Sequence, residues 1–306
     1  MKRFVKKQKF LIVILAIAII GANLAGYVGA YFLTHYQQPN GKGFGFPRSA
    51  NHKLPKEAGL NYTSKRIEIN NHEWLDTWLV QPYYSDSQGT VILFHGKASN
   101  KSSLLSSAKV FQELGYHILL VDFRGAGKSS GHKTTIGVKE SEDVVAAMKY
   151  AQKISPQQPI FLYGISMGSA AILRAIAKHD IEPDGIILEL PFASLLNAIR
   201  TRLARSKVPT FPLAELFVFW GGLQHGFNGF AHNPVDYAQK VKSPVLIMYG
   251  SRDRTIAQAD IEALFQNFNT DKNLVAFPDA GHELLVKADR QLWKKNVREF
   301  LDNVKH

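Results

Sequence analysis

No cysteine occurs among the 306 residues, which excludes disulfide frameworks, thiolate metal sites and cysteine nucleophiles in any redox compartment. Acidic charge is short too: 25 Asp and Glu face 37 Lys and Arg, a net charge of +12. Lys2, Arg3, Lys6, Lys7 and Lys9 supply five of those charges within nine residues that hold no acid, leaving about +7 for the other 297. Zinc-finger, basic-zipper and RNA-binding fingerprints are missing, so the excess is assigned to a membrane rather than to nucleic acid. Internal repeats are lacking, and 45% hydrophobic with 20% charged residues is ordinary globular usage with enough apolar material for a core.

What is present begins with an apolar span. From Phe10 to Thr34 no residue is charged, and Phe10 to Leu33 as a helix rises about 36 Å, enough for a hydrocarbon layer of about 30 Å. Asn23 is the strongly polar residue inside it, and Tyr27, Tyr31 and Tyr36 gather at the far end, where amphipathic rings favour the headgroup interface. With the Lys/Arg excess before the span, the positive-inside rule keeps the N-terminus cytoplasmic and puts residues from about 36 onward outside. A cleaved signal peptide is the alternative, with Val28-Gly29-Ala30 as its small-residue site. The span exceeds the roughly 7–15 apolar residues of a secretory core, which favours a permanent anchor.

Residues 1–36 are therefore expected to form a basic tip and transmembrane anchor, and 37–60, with Pro39, Gly41, Gly43, Gly45, Pro47 and Pro55, a tether. A domain over 61–306 follows. Arg66–Ile69 and Trp74–Val80, separated by Asn70-Asn71-His72, predict an antiparallel hairpin. Apolar runs then recur at Val91–Phe94, Ile118–Val121, Ile160–Tyr163, Ile186–Leu188, Val245–Tyr249 and Leu274–Phe277, each of strand length. Between them Leu104, Ala108 and Phe111, then Ser141, Val145 and Met148, then Trp293, Val297, Phe300 and Val304 line helical faces. The alternation predicts an α/β fold whose mostly parallel sheet is covered on both faces, with its chemistry at the carboxyl ends of the strands.

One such end reads Gly164-Ile165-Ser166-Met167-Gly168, a strand passing through Gly-x-Ser-x-Gly into a small-residue helix. This is a nucleophile elbow: the serine stands on a sharp turn, and the flanking glycines let strand and helix approach. A serine hydroxyl needs a base and a group to orient that base. Asp253 follows Val245–Tyr249 and His282 follows Leu274–Phe277, so Ser166, Asp253 and His282 occur in the order expected of this architecture. Glu189, after Ile186–Leu188, is the alternative orienting carboxylate. As single residues Ser166 reads equally as a turn serine, Asp253 as a helix cap and His282 as a loop histidine, but together they would be three coincidences at matched strand ends. The backbone amides of Lys97, after Phe94-His95-Gly96, and of Met167 are the expected oxyanion donors. His95 is read as holding its loop.

Phe94-His95-Gly96, Asp122-Phe-Arg-Gly-Ala-Gly-Lys-Ser-Ser-Gly131, the serine elbow, Asp253 and Gly281-His282 resemble the α/β-hydrolase superfamily over roughly residues 65–305. Its monoacylglycerol-lipase-like and serine-aminopeptidase-like branches, including hydrolases tethered by one N-terminal span, are most similar. The resemblance implies a serine hydrolase working through an acyl-enzyme, without a cofactor. It also makes the Asp122–Gly131 segment a turn in which Arg124 and the glycines shape the rim of the site. Ser169 departs from the glycine or alanine that many relatives carry there.

Gly125-Ala126-Gly127-Lys128-Ser129 is not a nucleotide loop: a P-loop requires glycine where Asp122 stands, and the dinucleotide pattern requires it at Ser130. The histidines lack the spacing of metal ligands. Residues 191–240 interrupt the alternation and carry Phe192, Leu195, Leu196, Phe211, Leu216, Phe217, Phe219, Trp220, Phe227 and Phe230, a helical cap whose apolar faces pack on the domain or line an acyl pocket. Arg200, Arg202, Arg205 and Lys207 in it are read as a solvated face, with anionic headgroups as the alternative. The expected activity is hydrolysis of an acyl ester, lipid or other, by a membrane-anchored enzyme; an aminopeptidase or amidase with the same residues, or a silent binding module, are the alternatives.

Overall fold

Short apolar, β-branched runs bounded by turn residues become the strands of one sheet. The structure, a computed structural model, describes residues 2–38, 41–49, 53–82 and 87–304. Pro39 of the expected tether lies outside them, as do the side chains of Lys2 and Arg3. The strands are Tyr62–Glu68 (β1), Trp74–Val80 (β2), Thr90–Phe94 (β3), His117–Val121 (β4), Ile160–Ile165 (β5), Gly185–Glu189 (β6), Val245–Gly250 (β7) and Lys272–Phe277 (β8), ordered β1-β2-β4-β3-β5-β6-β7-β8. β2 pairs antiparallel with β1 and β4, and every later pairing is parallel. Each expected apolar run falls within a strand.

The helices are Lys2–Thr34 (α1), Leu105–Glu113 (α2), Glu140–Ile154 (α3), Met167–His179 (α4), Leu195–Arg205 (α5), Leu213–His225 (α6), Pro234–Ala238 (α7), Gln258–Asn267 (α8), Leu285–Ala288 (α9) and Arg290–Val304 (α10). Alternate strand residues enter opposite layers. Ile92 and Phe94 pack with Val144, Met148 and Ile172 of α3 and α4, while Val91 and Leu93 pack with Phe111 of α2 and Trp293 and Phe300 of α10. In α3 the buried stripe runs through Ser141, Val144 and Met148, and Val145, expected in it, is only partly buried.

α1 projects its apolar residues outward over most of its length, and Lys6–Thr34 is long and apolar enough to cross a bilayer. Its last turns, however, dock on α6. A Cβ on Gly26 would lie 2.7 Å from Leu216 Cβ, and one on Gly29 would lie 2.6 Å from the Phe217 ring, so both glycines permit a close crossing. The tether is also packed rather than free. Tyr36 N–H donates to His132 O at 2.7 Å and Phe46 N–H to His35 O at 2.8 Å, while Arg48 Nη1 reaches Gly127 O at 3.0 Å. Tyr36, expected at a headgroup interface, is instead buried, its hydroxyl accepting from Ala98 N–H at 3.1 Å.

Between β6 and β7 the chain inserts α5, α6 and α7, and His232 ties this insertion to the sheet domain. Its buried ring contacts Ile136 O at 3.0 Å and the Tyr237 hydroxyl at 3.3 Å. Burial pushes its pKa down to about 4 from 6.5, against the Ile136 hydrogen bond that raises it, so the folded chain refuses a proton that the unfolded chain accepts. The stability it supports is full above pH 6.5 and lost as pH falls towards 4, by up to about 3 kcal/mol. Unfolding midpoints of the detergent-solubilised protein should fall over that window. The fall should be shallower for His232→Gln, and an equal slope in the variant would refute the assignment.

Candidate active site

β5 ends at Ile165, and Ser166 turns the chain into α4 with φ 51° and ψ −106°, a region that costs a non-glycine residue about 1–3 kcal/mol. The glycine spacing has a steric cause. A Cβ on Gly164 would lie 2.6 Å from the Gly168 carbonyl carbon, and one on Gly168 would lie 2.5 Å from Phe94 O. Ser166 N–H donates to Glu189 O at 2.8 Å. Ser169, the departure from many relatives, donates its hydroxyl to Gly164 O at 2.6 Å and so ties the first turn of α4 to the end of β5.

His282 and Asp253 meet although they follow different strands: His282 Nδ1 and Asp253 Oδ2 are 2.7 Å apart. Asp253 Oδ1 accepts from Thr255 N–H at 2.6 Å and Ile256 N–H at 3.1 Å, so the carboxylate caps its own turn and holds the imidazole with its other oxygen. Burial alone would raise the Asp253 pKa, but the hydrogen bond and charge of His282 with those two amides hold it below the ordinary value. An ionised acceptor at Nδ1 fixes the proton there and leaves Nε2 as a base, a tautomer assigned from this network. Among the described residues no hydrogen bond joins His282 to the Ser166 hydroxyl. Such contacts often close only when substrate binds.

Glu189 does not touch the imidazole. Its side chain is fully buried and accepts from Leu285 N–H at 2.8 Å, the Tyr163 hydroxyl at 2.7 Å and Trp293 Nε1–H at 3.0 Å. Its carbonyl takes Ser166 N–H, so one residue joins the elbow to the loop that carries His282. No sequence signal marked this role, since its partners are scattered along the chain.

Gly96 packs against the elbow, where a Cβ would lie 3.5 Å from Ile165 O and 3.8 Å from Ser166 Cβ. Among the described residues neither Lys97 N–H nor Met167 N–H donates to a protein acceptor. His95 is buried; its Nδ1 lies 2.7 Å from Gly96 O and its Nε2 accepts from Phe123 N–H at 3.2 Å. That pairing holds the Lys97 loop to the segment after β4. Arg124, expected at the rim, is instead a hub of ion pairs to Glu73, Glu142 and Asp143.

Beside Lys97 lies a cavity of about 220 Å³ between the end of α1, α5 and α6. Leu33, Leu195, Ile199 and Phe217 are among its apolar walls, and Lys97 and Arg202 are its cations. Arg202 therefore leaves the expected solvated face. Arg200 pairs with Glu215 at 2.6 Å and Arg205 reaches the Thr255 hydroxyl at 3.0 Å.

An eight-stranded sheet with one antiparallel second strand, a strained serine after β5 and an imidazole–carboxylate pair after β7 and β8 together define a serine hydrolase of α/β type. The chain belongs to the α/β-hydrolase superfamily and is an enzyme of the carboxylesterase and lipase-like kind. Residues 85–216 match the family described as serine aminopeptidase, S33, and residues 210–303 the dienelactone hydrolase family. The chain is 30% identical to the YqkD protein of Bacillus subtilis over 72% of its length and 73% of the relative's. To the lysophosphatidylserine lipase ABHD12 of Xenopus tropicalis it is 22% identical, over 69% of its length and 59% of that protein's. Among solved structures, the Pyrococcus furiosus esterase Pf2001 superposes with a TM-score of 0.69 at 25% identity, covering 84% of this chain and 96% of the esterase.

Proposed function

We propose that the protein is a membrane-anchored hydrolase that cleaves carboxylic esters of single-chain lipids outside the cytoplasm. The observation that carries this reading is the 2.7 Å contact between His282 and Asp253, in a chain whose serine elbow is held in a strained turn after β5. His282 Nε2 takes the Ser166 proton as Oγ attacks the acyl carbonyl, and Asp253 holds the imidazole and balances its charge. The Lys97 and Met167 amides receive the oxyanion. His282 then protonates the departing alcohol, and water activated by the same residue releases the acid, so the cycle calls for no cofactor.

The exposed apolar length of α1 and the basic tip before it support an anchor with the domain outside. About 30 Å of hydrocarbon takes roughly twenty helical residues, which from Phe10 ends near Gly29, where α6 packs. Exposed Phe211, Phe219 and Leu223 would then meet the leaflet, making residues 191–240 a cap seated on the membrane with its cavity beside α1. Cleavage after Ala30 would remove Gly26, Gly29 and the buried Ala30 from α6, which favours the anchor over a signal peptide. The apolar cavity and the lysophosphatidylserine lipase relatives support a lipid ester. An aminopeptidase needs an acid to hold the substrate amine, whereas Lys97 and Arg202 repel an ammonium.

A fluorophosphonate probe is expected to modify Ser166, as located by mass spectrometry, and turnover of 4-nitrophenyl esters to rise with acyl length and with micelles. Absence of both would leave a silent binding module, and faster cleavage of aminoacyl anilides than of esters would select the amidase. The full-length chain should remain in carbonate-washed membranes; a mature N-terminus at Tyr31 would overturn the anchor.

A further inference from the structure

The β6–β7 insertion carries several cations, and the structure separates them by partner. Arg200 and Arg205 are engaged, by Glu215 and Thr255. Lys97 and Arg202 both face the 220 Å³ cavity, and among the described residues neither has a carboxylate partner in an ion pair. Lys97 Nζ rests 4.6 Å from the centre of the Phe46 ring, a contact that suits a cation but does not neutralise it. The acid that acts on Arg202 is Asp253, whose oxygens are already taken by His282 and two amides. Burial and the charge of Arg202 push the Lys97 ammonium down to about 7. Two like-charged residues lining one largely apolar chamber repel each other and lose hydration, and an anion between them would relieve both effects. Lys97 also directly follows Gly96, where a Cβ would lie 3.8 Å from Ser166 Cβ, so an anion held by its side chain would lie near the serine.

We propose that Lys97 and Arg202 form an anion subsite that selects single-chain acyl esters bearing a phosphate or carboxylate close to the scissile ester. The inference rests on the ester-hydrolase reading and adds to it the residues that recognise substrate charge. Arg202 supplies the planar fork suited to two oxygens, and Lys97 the point charge that completes it. The apolar walls from α1, α5 and α6 then hold the chain. Neutral monoacylglycerols would fill the same walls and leave the two cations without a counter-charge.

A basic protein also gathers on anionic surfaces, so the test uses monomeric substrates. Release of hexanoate from 1-hexanoylglycerol 3-phosphate and from 1-hexanoylglycerol, both below micelle formation, gives a ratio of kcat/KM. The wild-type ratio should exceed 10. Arg202→Gln and Lys97→Met, the latter keeping its backbone N–H, should each lower it about 10–100-fold, mainly through KM for the phosphate ester. Arg202→Lys should retain part of the ratio, and Arg200→Gln should leave it unchanged. A wild-type ratio near or below one, or one that survives both changes in variants with wild-type thermal midpoints, overturns the subsite. Hydrolysis of neither substrate by the wild-type enzyme would instead overturn the ester-hydrolase reading, and hydrolysis that persists in Ser166→Ala would overturn Ser166 as its nucleophile. A preference seen only on anionic vesicles would assign the charge effect to the surface and refute the subsite.

Discussion

Ser166→Ala is expected to abolish fluorophosphonate labelling and to lower kcat by about 10⁶-fold, and Asp253→Asn to lower it by about 10³–10⁴-fold. The two losses have different causes. Without the serine oxygen there is no acyl-enzyme, and what remains is turnover by bound water and the oxyanion donors. Asp253→Asn keeps shape and volume, yet the geometry dictates how the amide must sit. Thr255 and Ile256 N–H both point at Oδ1, so the asparagine oxygen is drawn to that side and its NH₂ group turns to His282. An NH₂ group facing Nδ1 stabilises the tautomer with its proton on Nε2, which cannot take the serine proton. Steady-state rates and probe-labelling rates should fall together while KM changes little, and the double variant should be no slower than Ser166→Ala alone because the residues act as a unit. An Asp253→Asn enzyme within tenfold of wild type would show that another group orients the imidazole.

The fold was legible where its causes are local. Ile160–Ile165 and Val91–Phe94 are buried along their length, so their composition announces strands covered on both faces, and Gly164 follows from sterics within the turn at Ser166, whereas Gly168 is required by Phe94 O of the neighbouring strand. His282 and Asp253 were legible from their places after strands, because a parallel sheet gathers its loops at one edge. The solvated-face reading of Arg202 went astray for the opposite reason. Its surroundings come from Leu33 of α1 and Lys97 after β3, contacts that no spacing within α5 encodes. The tether shows the same limit: the Pro and Gly content of 37–60 gives no hint that Arg48 reaches Gly127 O or that Leu60 joins the core, contacts with distant parts of the chain. Rules of spacing read one element at a time, and the cavity that holds Arg202 depends on three elements meeting.

Glu189 is where stability and chemistry are most closely joined, and its replacement should affect both. Burial raises its pKa, against the opposing hydrogen bonds from Tyr163, Trp293 and Leu285. Glu189→Ala leaves a buried hydroxyl, an indole N–H and a backbone N–H without their acceptor, each worth about 1–3 kcal/mol, so a loss of about 3–5 kcal/mol is expected, a large share of a domain's total stability. Glu189→Gln is the sharper test. One amide oxygen can still serve Leu285 N–H, and the Tyr163 hydroxyl can rotate to accept from the new NH₂ group, but Trp293 Nε1–H can only donate. That indole should be left unsatisfied, at about 1–3 kcal/mol. Trp293→Phe removes the orphaned donor, so the double variant should recover at least about 1 kcal/mol of coupling in a double-mutant cycle of unfolding midpoints. Activity separates the second role: because Leu285 closes the loop that begins at His282, Glu189→Gln should also lower kcat, about 10-fold or more, with KM little changed. Additive stabilities together with a wild-type kcat would show that Glu189 is packing alone and that the His282 loop is held by Asp253 without it.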